Sequence, residues 1–295
     1  MPITCSVGVF AHNEAANILH LLEAIRGQKL SDVCIREVIV VSSASTDGTD
    51  DLVRKFALDN PMFRLITQAK REGKSNAINL FMKEAVSDVL VVISADVLPT
   101  PETLELLVSA FGDPQVGASG GRPFPINNDG RFMAYAVQLL WRLHHRMALI
   151  SPKLGEMIAF RKVMNAIPGD SAVDEASIES MVKAAGLQLR YIPEALIYNK
   201  GPETLRDFIK QRRRIQNGHL WLIQNQHYQV VSQDKSTLAK ILWQELVSRP
   251  RDAIKLLMVV LLESYCRALG SWDYRIKKKN PFAWEIAGST KRVKQ

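Results

Sequence analysis

The sequence contains few cysteines, and they lie far apart. Cys5, Cys34 and Cys266 are the three in a chain of 295 residues, and no C-x-x-C pair occurs. An odd number of scattered cysteines does not fit a disulfide framework, and a zinc ribbon is built from C-x-x-C pairs. We therefore expect neither kind of scaffold.

Long hydrophobic runs, internal repeats and low-complexity segments are also absent from the sequence. No stretch reaches the roughly 18 apolar residues that a membrane-spanning helix needs. The first ten residues, MPITCSVGVF, lack the basic region, apolar core and cleavage site of a secretory signal. We therefore expect a cytoplasmic protein without a transmembrane helix.

Basic residues outnumber acidic ones, and the formal net charge is +8. This excess favours an anionic partner, such as nucleotide phosphates, nucleic acid or an acidic membrane surface. Nucleic acid is the least expected of the three, because the basic clusters lack interleaved aromatic residues and no recognisable binding motif occurs. The clusters lie at residues 212–214 and 277–279 and at Lys291, Arg292 and Lys294.

The segment EVIVVSSASTDGT, at residues 37–49, predicts a ligand-binding crevice. Residues 38–41 form a short β-branched run, which is typical of a strand buried on both faces of a parallel sheet. Three serines follow the run, and Thr46 or Asp47 can cap the next helix. In open α/β sheets, ligands bind where such strands end.

Similar runs alternate with helical patterns over the first 120 residues, which favours a parallel sheet covered by helices. The pattern predicts strands at 6–11, 38–41, 63–67, 89–93 and 117–121, with helices from 14, 48, 74 and 101. In the second half it predicts helices at 132–150, 175–185 and 202–225, two more after 237, and strands at 154–161, 189–192 and 195–198.

Two stretches suit the chemistry of a nucleotide diphosphate, which needs donors for its phosphates and usually a divalent cation. Asp96 ends a buried strand, and its carboxylate is a ligand that Mg²⁺ and Mn²⁺ prefer. Residues 70–74, KREGK, lie just before a helix N-terminus, a position that suits anions. The alternatives are a helix cap for Asp96 and a solvated basic loop for residues 70–74.

Six motifs occur in the order used by a known family. They are Asn13-Glu14, VVSSASTDGT, GKSNAIN from Gly73, SAD from Ser94, Asp174-Glu175 and QRRRI from Gln211. Through these motifs the sequence resembles the family-2, GT-A-type glycosyltransferases over residues 7–221. The resemblance implies an α/β, GT-A-like (Rossmann-like) fold, with a mostly parallel sheet flanked by helices. We expect the catalytic domain at residues 1–230 and a C-terminal amphipathic helical extension at 231–295.

The resemblance also implies roles for individual residues, with Glu14 facing the nucleoside and Asp96 holding the metal. The donor-binding residues that it implies are Glu14, Ser42, Ser43, Arg71, Lys74, Asp96, Gln211 and Arg214. This chain departs from the family pattern where Ser42, Ser43 and Ser94 replace acids and where Ile215 replaces a tryptophan.

Asp174 and Glu175 are the candidates for the catalytic base. The family has a Glu-Asp pair here, whose aspartate deprotonates the acceptor hydroxyl, and the order is reversed in this chain. Counting back from Gly186, which resembles the glycine that ends the family helix, places Glu175 on the base position. Asp174 can serve if the loop shifts by one residue. The alternative is a helix cap followed by a first-turn acid.

The resemblance implies an inverting transfer of a sugar from a UDP- or GDP-linked donor, with Mn²⁺ or Mg²⁺ as cofactor. The acceptor would be a glycan or a lipid-linked molecule in cell-surface glycan or glycolipid synthesis. Two alternatives stay open. One is a nucleotide-sugar-binding protein that has lost catalysis, and the other is a nucleotidyltransferase, although HNEAAN replaces the glycine- and basic-rich loop that such an enzyme has after its first strand.

The C-terminal segment mixes apolar residues with Arg and Lys, and it contains Trp243 and Trp272. Helices of this type can lie on an anionic membrane, which would make the protein peripheral at the inner face of the membrane. Equally, residues 256–262 can pack on the catalytic domain or on a second subunit in a homodimer.

Overall fold

The β-branched runs of the sequence form the centre of an eight-stranded sheet in this computed structural model, which describes residues 2–278. The strands are β1 (Ile3–Ala11), β2 (Val33–Ser43), β3 (Phe63–Gln68), β4 (Val89–Ser94), β5 (Val97–Pro99), β6 (Val116–Pro125), β7 (Met157–Arg161) and β8 (Gln188–Asn199). The helices are α1 (Ile18–Arg26), α2 (Thr49–Asp59), α3 (Lys74–Glu84), α4 (Thr103–Ser109), α5 (Phe132–Ile150), α6 (Asp174–Ala184), α7 (Leu205–Gln226), α8 (Lys235–Ser248) and α9 (Ala253–Arg275).

The strand order is β3-β2-β1-β4-β7-β6-β8-β5. The first four strands in this order are parallel, whereas β7 is antiparallel to both β4 and β6. Strand β8 is parallel to β6, and β5 pairs with β8 in the antiparallel direction. Because β7 runs against β4, it begins at the edge where β4 ends, and Met157 pairs with Ile93. Residues just before β7 therefore lie beside those just after β4.

Both faces of the sheet are covered, which explains the uninterrupted apolar runs. In β2, Val38 and Val40 belong to the cluster that packs against α1, α2 and α4. Ile39 and Val41 point to the other face and join a cluster with α3 and α6. Side chains alternate between the faces of a strand, so a strand that is buried on both sides needs apolar residues at every position. The expected α/β architecture with a mostly parallel, helix-flanked sheet is confirmed.

Several expected boundaries are wrong. Helix α1 begins at Ile18 rather than at residue 14, and its N-cap is Asn17. Asn13, with φ of 54°, accepts a hydrogen bond from the Thr46 backbone N–H. The strands expected at 189–192 and 195–198 are one strand, β8. Its pairing with β6 shifts between Gly121 and Arg122, which accommodates Pro193 in a bulge.

The C-terminal helices pack on the part of the chain that precedes them. Ile241 of α8 and Val259 of α9 share an apolar cluster with Leu139 of α5 and Phe208 of α7. Residues 279–295, which include Lys279, Lys291, Arg292 and Lys294, lie outside the described residues. The division of the chain at residue 230 stays a prediction.

Cys5, Cys34 and Cys266 are free thiols. Among the helices within residues 2–278, none combines the length and the hydrophobicity needed to cross a membrane.

Candidate active site

A cavity of about 1120 Å³ lies at the carboxyl ends of β1, β2 and β4. It is also lined by the N-terminal residues of α3 and α6 and by α7. The residues predicted from the sequence that line it are Glu14, Ser43, Arg71, Lys74, Asp96, Asp174, Glu175, Gln211 and Arg214. Ser42 does not line the cavity, because its side chain is fully buried and its hydroxyl donates to Ser45 Oγ at 2.8 Å.

The loops after β1 and β2 are joined by hydrogen bonds that fix Glu14. Its backbone N–H donates to Thr49 Oγ1 at 2.9 Å, and the N–H of Ala15 donates to Asp47 Oδ2 at 3.0 Å. The Glu14 carboxylate is buried and accepts a hydrogen bond from Asn17 Nδ2 at 2.8 Å. Glu14 is therefore held at the cavity wall by backbone and side-chain contacts together.

Lys74 connects two elements at the centre of the cavity. It opens α3 directly after Gly73, and its Nζ lies 2.8 Å from Asp174 Oδ2 and 2.7 Å from Glu175 Oε1. Burial by itself lowers the pKa of Lys74, but the two carboxylates outweigh burial and raise this pKa above its ordinary value. The lysine is therefore a permanent cation that holds the start of α6 against the start of α3.

The two acids that contact Lys74 have different surroundings. The side chain of Asp174 is 4% exposed and that of Glu175 is 24% exposed. Burial, together with the charge of Glu175, raises the pKa of Asp174. Burial also acts to raise the pKa of Glu175, but Lys74 outweighs it and the pKa of Glu175 falls below its ordinary value. Glu175 is thus the more accessible and the more readily ionised of the pair, and Val173 rather than Asp174 occupies the N-cap of α6.

Arg214 faces these acids from α7. Burial lowers the pKa of its guanidinium, and the negative charges of Asp174, Glu175, Glu156 and Asp96 oppose this effect. Gln211, one turn earlier on α7, lines the same cavity. Arg214 therefore brings a positive charge to the point where the carboxylates converge.

The two neighbouring arginines do not share this role. Arg212 makes a bidentate pair with Glu263 of α9, at 2.8 and 2.7 Å, and Arg213 pairs with Asp273 of the same helix. Successive residues of a helix point about 100° apart, so a run of three arginines is divided among different neighbours. The basic cluster at 212–214 is therefore not a single anion-binding patch.

Glu156 is a site residue that the sequence reasoning missed. It lies immediately before β7 with φ of 62°, and its Oε1 accepts a hydrogen bond from Asn199 Nδ2 at 3.0 Å. Burial, followed by the charges of Asp96 and Glu175, raises the pKa of Glu156 to about 7. The sequence feature that could have indicated Glu156 is an acid placed between Gly155 and an apolar run. Residues 154–161 were expected to form one continuous strand, so this acid was not assigned to the site. A non-glycine residue in the left-handed region often marks a functional site.

The carboxylates present suit a cation that is shared with a diphosphate. Asp96 lies in the turn between β4 and β5, six residues before Glu102, the N-cap of α4, so it does not cap that helix. Within residues 2–278 there is no group of three or more His, Cys, Asp or Glu side chains arranged to hold a metal ion. Mg²⁺ is commonly held by one or two carboxylates together with substrate phosphates. Asp96 fits that type of site, and its charge helps to raise the pKa of Glu156.

Comparison with known proteins identifies the sequence family. The model of glycosyl transferase family 2 matches residues 6–182. The poly-beta-1,6-N-acetyl-D-glucosamine synthase of Staphylococcus aureus (strain COL) is 24% identical over 250 residues, which cover 80% of this chain and 60% of that protein. The synthase of the same name from Staphylococcus epidermidis is 22% identical over 250 residues. The chain thus spans about 60% of the length of these curated relatives.

Solved structures with the same fold include two complexes with Mn²⁺. The mannosyltransferase PcManGT from Pyrobaculum calidifontis, in complex with GDP-Man and Mn²⁺, superposes with a TM-score of 0.64 at 22% identity, covering 97% of this chain and 89% of that chain. Glucosyl-3-phosphoglycerate synthase from Mycobacterium tuberculosis, with Mn²⁺, UDP and phosphoglyceric acid, gives a TM-score of 0.53 at 21% identity, covering 74% and 78%. The GT-A-like fold expected from the sequence is confirmed.

Proposed function

The chain belongs to glycosyl transferase family 2, and from that premise we propose that it transfers a sugar from a UDP- or GDP-linked donor to an acceptor hydroxyl with inversion. The observation that carries the proposal is the contact of Glu175 with Lys74 in the cavity that Asp96 and Arg214 also line. In this proposal Glu175 is the proton acceptor, Asp96 is the metal ligand and Arg214 is the cation for the leaving diphosphate.

In the proposed reaction, Glu175 accepts the proton of the acceptor hydroxyl. The hydroxyl oxygen attacks the anomeric carbon from the face opposite the diphosphate, and the bond from that carbon to the diphosphate oxygen breaks. Lys74 supports this role because it keeps Glu175 ionised, as a base must be before it accepts a proton. Asp174 shares Lys74 and is more buried, so we assign it to positioning the lysine.

Arg214, Gln211 and Arg71 line the cavity and are the proposed contacts of the diphosphate. Mn²⁺ or Mg²⁺ held by Asp96 would neutralise negative charge that develops on the leaving group. Glu14 and Ser43 are proposed to contact the nucleoside, since both lie at the wall formed by the loops after β1 and β2. The buried Ser42 would then act by supporting the loop.

The acceptor is proposed to be a glycan or a lipid-linked molecule used in cell-surface glycan synthesis, with the protein peripheral at the inner face of the membrane. An apolar stripe on α9 supports a membrane contact. It is exposed at helical spacing, with Ile254 76% and Leu261 61% exposed. The exposed stripe consists of Ile254, Leu257, Met258, Leu261 and Tyr265. The exposed Arg251 and Lys255 flank its N-terminal end, and such a surface suits an anionic membrane or, alternatively, a second copy of the chain.

A thermal-shift screen of nucleotides and nucleotide sugars tests the proposal. A ligand that binds the folded state raises the melting temperature, so a UDP- or GDP-linked donor should do so, and more strongly with Mn²⁺ or Mg²⁺. Asp96→Ala should abolish the increment due to the metal, whereas Asp59→Ala, at an exposed acid on α2, should keep it.

The proposal is wrong if no nucleotide shifts the melting temperature at any metal concentration. Product analysis separates the alternatives that the sequence left open. Donor binding without transfer or hydrolysis would indicate a binding protein, and release of pyrophosphate would indicate a nucleotidyltransferase.

A further inference from the structure

The cavity has a second charged region beyond the proposed reaction centre. We call this region the basic wall, and it consists of His144, Lys153, Arg212, His219 and Arg267, all of which line the cavity. These residues come from α5, the loop before β7, α7 and α9. The reaction proposed above uses none of them.

Hydrogen bonds hold the three cations of the basic wall close together. Lys153 Nζ donates to Ser232 Oγ at 3.1 Å, and both terminal nitrogens of Arg267 lie 3.5 Å from the Ser232 carbonyl oxygen. Arg212 and Arg267 share one carboxylate, that of Glu263, at 2.7 and 2.9 Å. A single carboxylate thus pairs with two arginines, and Lys153 adds a third positive charge.

The other nearby acid, Glu179, compensates this charge only in part. Its carboxylate accepts hydrogen bonds from the Leu154 N–H at 2.6 Å and the Tyr228 hydroxyl at 3.0 Å. Burial raises the pKa of Glu179 to about 7, so it is partly protonated at neutral pH. Burial, followed by the charge of Arg212, lowers the pKa of Lys153 to about 8.

The two histidines of the basic wall add neutral hydrogen-bonding groups. His144 is 7% exposed and His219 is 8% exposed. Burial, followed by the charge of Lys153, holds the pKa of both well below the ordinary value. Within residues 2–278, Nδ1 of His144 has no hydrogen-bond partner. Buried polar atoms are rarely left unpaired, so His144 keeps an unused hydrogen-bonding atom beside the three cations.

The basic wall lies next to the proposed base. Glu179 follows Glu175 by one turn of α6, which is about 6 Å along the helix axis. The loop before β7 carries Lys153 towards the basic wall and Glu156 towards Asp96 and Glu175. A small molecule that places a charged group at the basic wall can therefore also place a hydroxyl beside Glu175.

We propose that the basic wall binds a phosphate group of the acceptor, at Lys153 and its neighbouring arginines and histidines. This inference rests on the proposed function, because it names the class of acceptor for the same site. The acceptor would carry a phosphate close to its reacting hydroxyl, as a soluble phosphate ester or as the headgroup of a phospholipid.

Calorimetric titration of the protein loaded with donor nucleotide and Mn²⁺ tests the proposal with two pairs of probes. The soluble pair is glycerol 3-phosphate and glycerol, and the lipid pair is phosphatidylinositol micelles and neutral dodecyl maltoside micelles. At least one phosphate probe should bind about tenfold or more tightly than its neutral counterpart, because it makes hydrogen bonds between charged groups that the neutral probe lacks. A preference within the soluble pair indicates a soluble phosphate ester. A preference within the lipid pair indicates a phospholipid headgroup only where a Lys153 substitution removes it, because the exposed stripe on α9 also favours an anionic micelle.

Substitutions of Lys153 test whether the phosphate probe binds at the basic wall. Lys153→Met should weaken binding of the phosphate probe about tenfold or more, and Lys153→Arg should restore most of it. Lys55→Met, at an exposed lysine on α2, should bind as the unmodified protein does. If Lys153→Met lowers the melting temperature of the unliganded protein, Lys153→Gln replaces it, since glutamine keeps a hydrogen-bonding group towards Ser232.

Two results would overturn the proposal: equal binding of phosphate and neutral probes by the unmodified protein, or unchanged phosphate binding by the Lys153 variants. The nucleotide-induced thermal shift of the same samples distinguishes a failure of the phosphate site from a failure of the proposed function. Protein that binds nucleotide but prefers neither phosphate probe refutes the phosphate site and leaves the proposed function standing. Protein that binds no nucleotide refutes the proposed function itself.

Discussion

Asp174 and Glu175 are neighbours in the sequence, but their side chains differ in exposure and in pKa. Both contact Lys74, yet Glu175 is the more exposed and has a lowered pKa, whereas Asp174 is almost fully buried and has a raised pKa. Because consecutive residues of a helix point in different directions, one carboxylate reaches the cavity more freely than the other.

We predict that Glu175→Gln lowers kcat by at least about 100-fold, because positioned acid–base catalysis contributes typically 10²–10⁴-fold. Donor binding should change little, since the substitution keeps the size of the side chain and removes only the proton acceptor. Steady-state kinetics with the acceptor, together with a nucleotide titration, measures both quantities.

Asp174→Asn is the matched comparison and should cause a smaller loss of kcat. If Asp174→Asn proved the more damaging substitution, the base would be Asp174. Near-normal turnover of both variants would refute this mechanism and leave the pair with a structural role.

The raised pKa of Glu156 leads us to predict that the free energy of unfolding depends on pH. Its folded-state pKa of about 7 lies above the ordinary value of 4.5, so the folded protein binds the proton more tightly than the unfolded chain. Stability contributed by the protonated form is complete below about pH 4.5 and is lost as the pH rises through about 7. Glu156→Gln, which keeps an oxygen for Asn199, should therefore raise the free energy of unfolding at pH 8 by about 1–3 kcal/mol, and by almost nothing at pH 4.5.

Urea unfolding at the two pH values measures this difference. Glu194→Gln, at an exposed carboxylate on β8, is the control and should have little effect at either pH. A gain of equal size at pH 4.5 and pH 8 would show that the effect does not come from the ionisation of Glu156.

At the scale of elements, α9 has two apolar faces with different surroundings. Leu256, Val259 and Cys266 are buried against the cluster that α9 shares with α5, α7 and α8. The exposed stripe, from Ile254 to Tyr265, lies on another face of the same helix. The packing of the first face means that removing the C-terminal helices would uncover core residues, so point substitutions on the stripe are the cleaner test of membrane contact.

We predict salt-sensitive binding to anionic vesicles, to which basic residues near the surface contribute about 1 kcal/mol each. Leu257→Glu combined with Leu261→Glu should greatly reduce co-sedimentation, because carboxylates on the stripe disfavour contact with an anionic surface. Leu58→Glu, at a leucine that is 84% exposed on α2, should leave binding unchanged.

Equal recovery of all three proteins in the vesicle pellet would contradict the membrane contact. The molecular mass of the unmodified protein in solution then tests the other partner. A dimer that dissociates in the double variant would assign the stripe to self-association.

At the scale of the whole molecule, the C-terminal helices complete an apolar layer. Leu139 and Phe208 are at most 1% exposed, and they share their cluster with Ile241 and Val259 of the C-terminal helices. The ion pairs of Arg212 with Glu263 and of Arg213 with Asp273 join α7 to α9 as well. Helices α8 and α9 are therefore packed against α5 and α7.

We predict a single cooperative unfolding transition in calorimetry, with equal calorimetric and van't Hoff enthalpies. A protein that ends at residue 230 should lose most of its stability or aggregate, because it exposes the cluster on α5 and α7. Two separate transitions, or a truncated protein with the melting temperature of the full chain, would show that residues 231–295 form an independent unit.

The sequence by itself determined the α/β architecture and the edge of the sheet where the site lies. Both follow from local properties. An apolar β-branched run such as residues 38–41 requires cover on both faces, and polar residues placed directly after such runs must meet at one edge of a parallel sheet. The order of the family motifs then indicated which side chains, Asp96 and Glu175 among them, belong to the cavity.

Only the tertiary structure decided how those side chains are engaged. Lys74 contacts acids 100 and 101 residues later in the chain, and Glu156 reaches the site because β7 runs antiparallel to β4. Ser42 is buried away from the cavity, although Ser43 lines it. Arg212 pairs with Glu263 of α9, whereas Arg214 of the same helix faces the acids of the reaction centre. The local sequence pattern sets which residues share one face of a helix or strand. Contacts between distant parts of the chain decide which other element packs against that face.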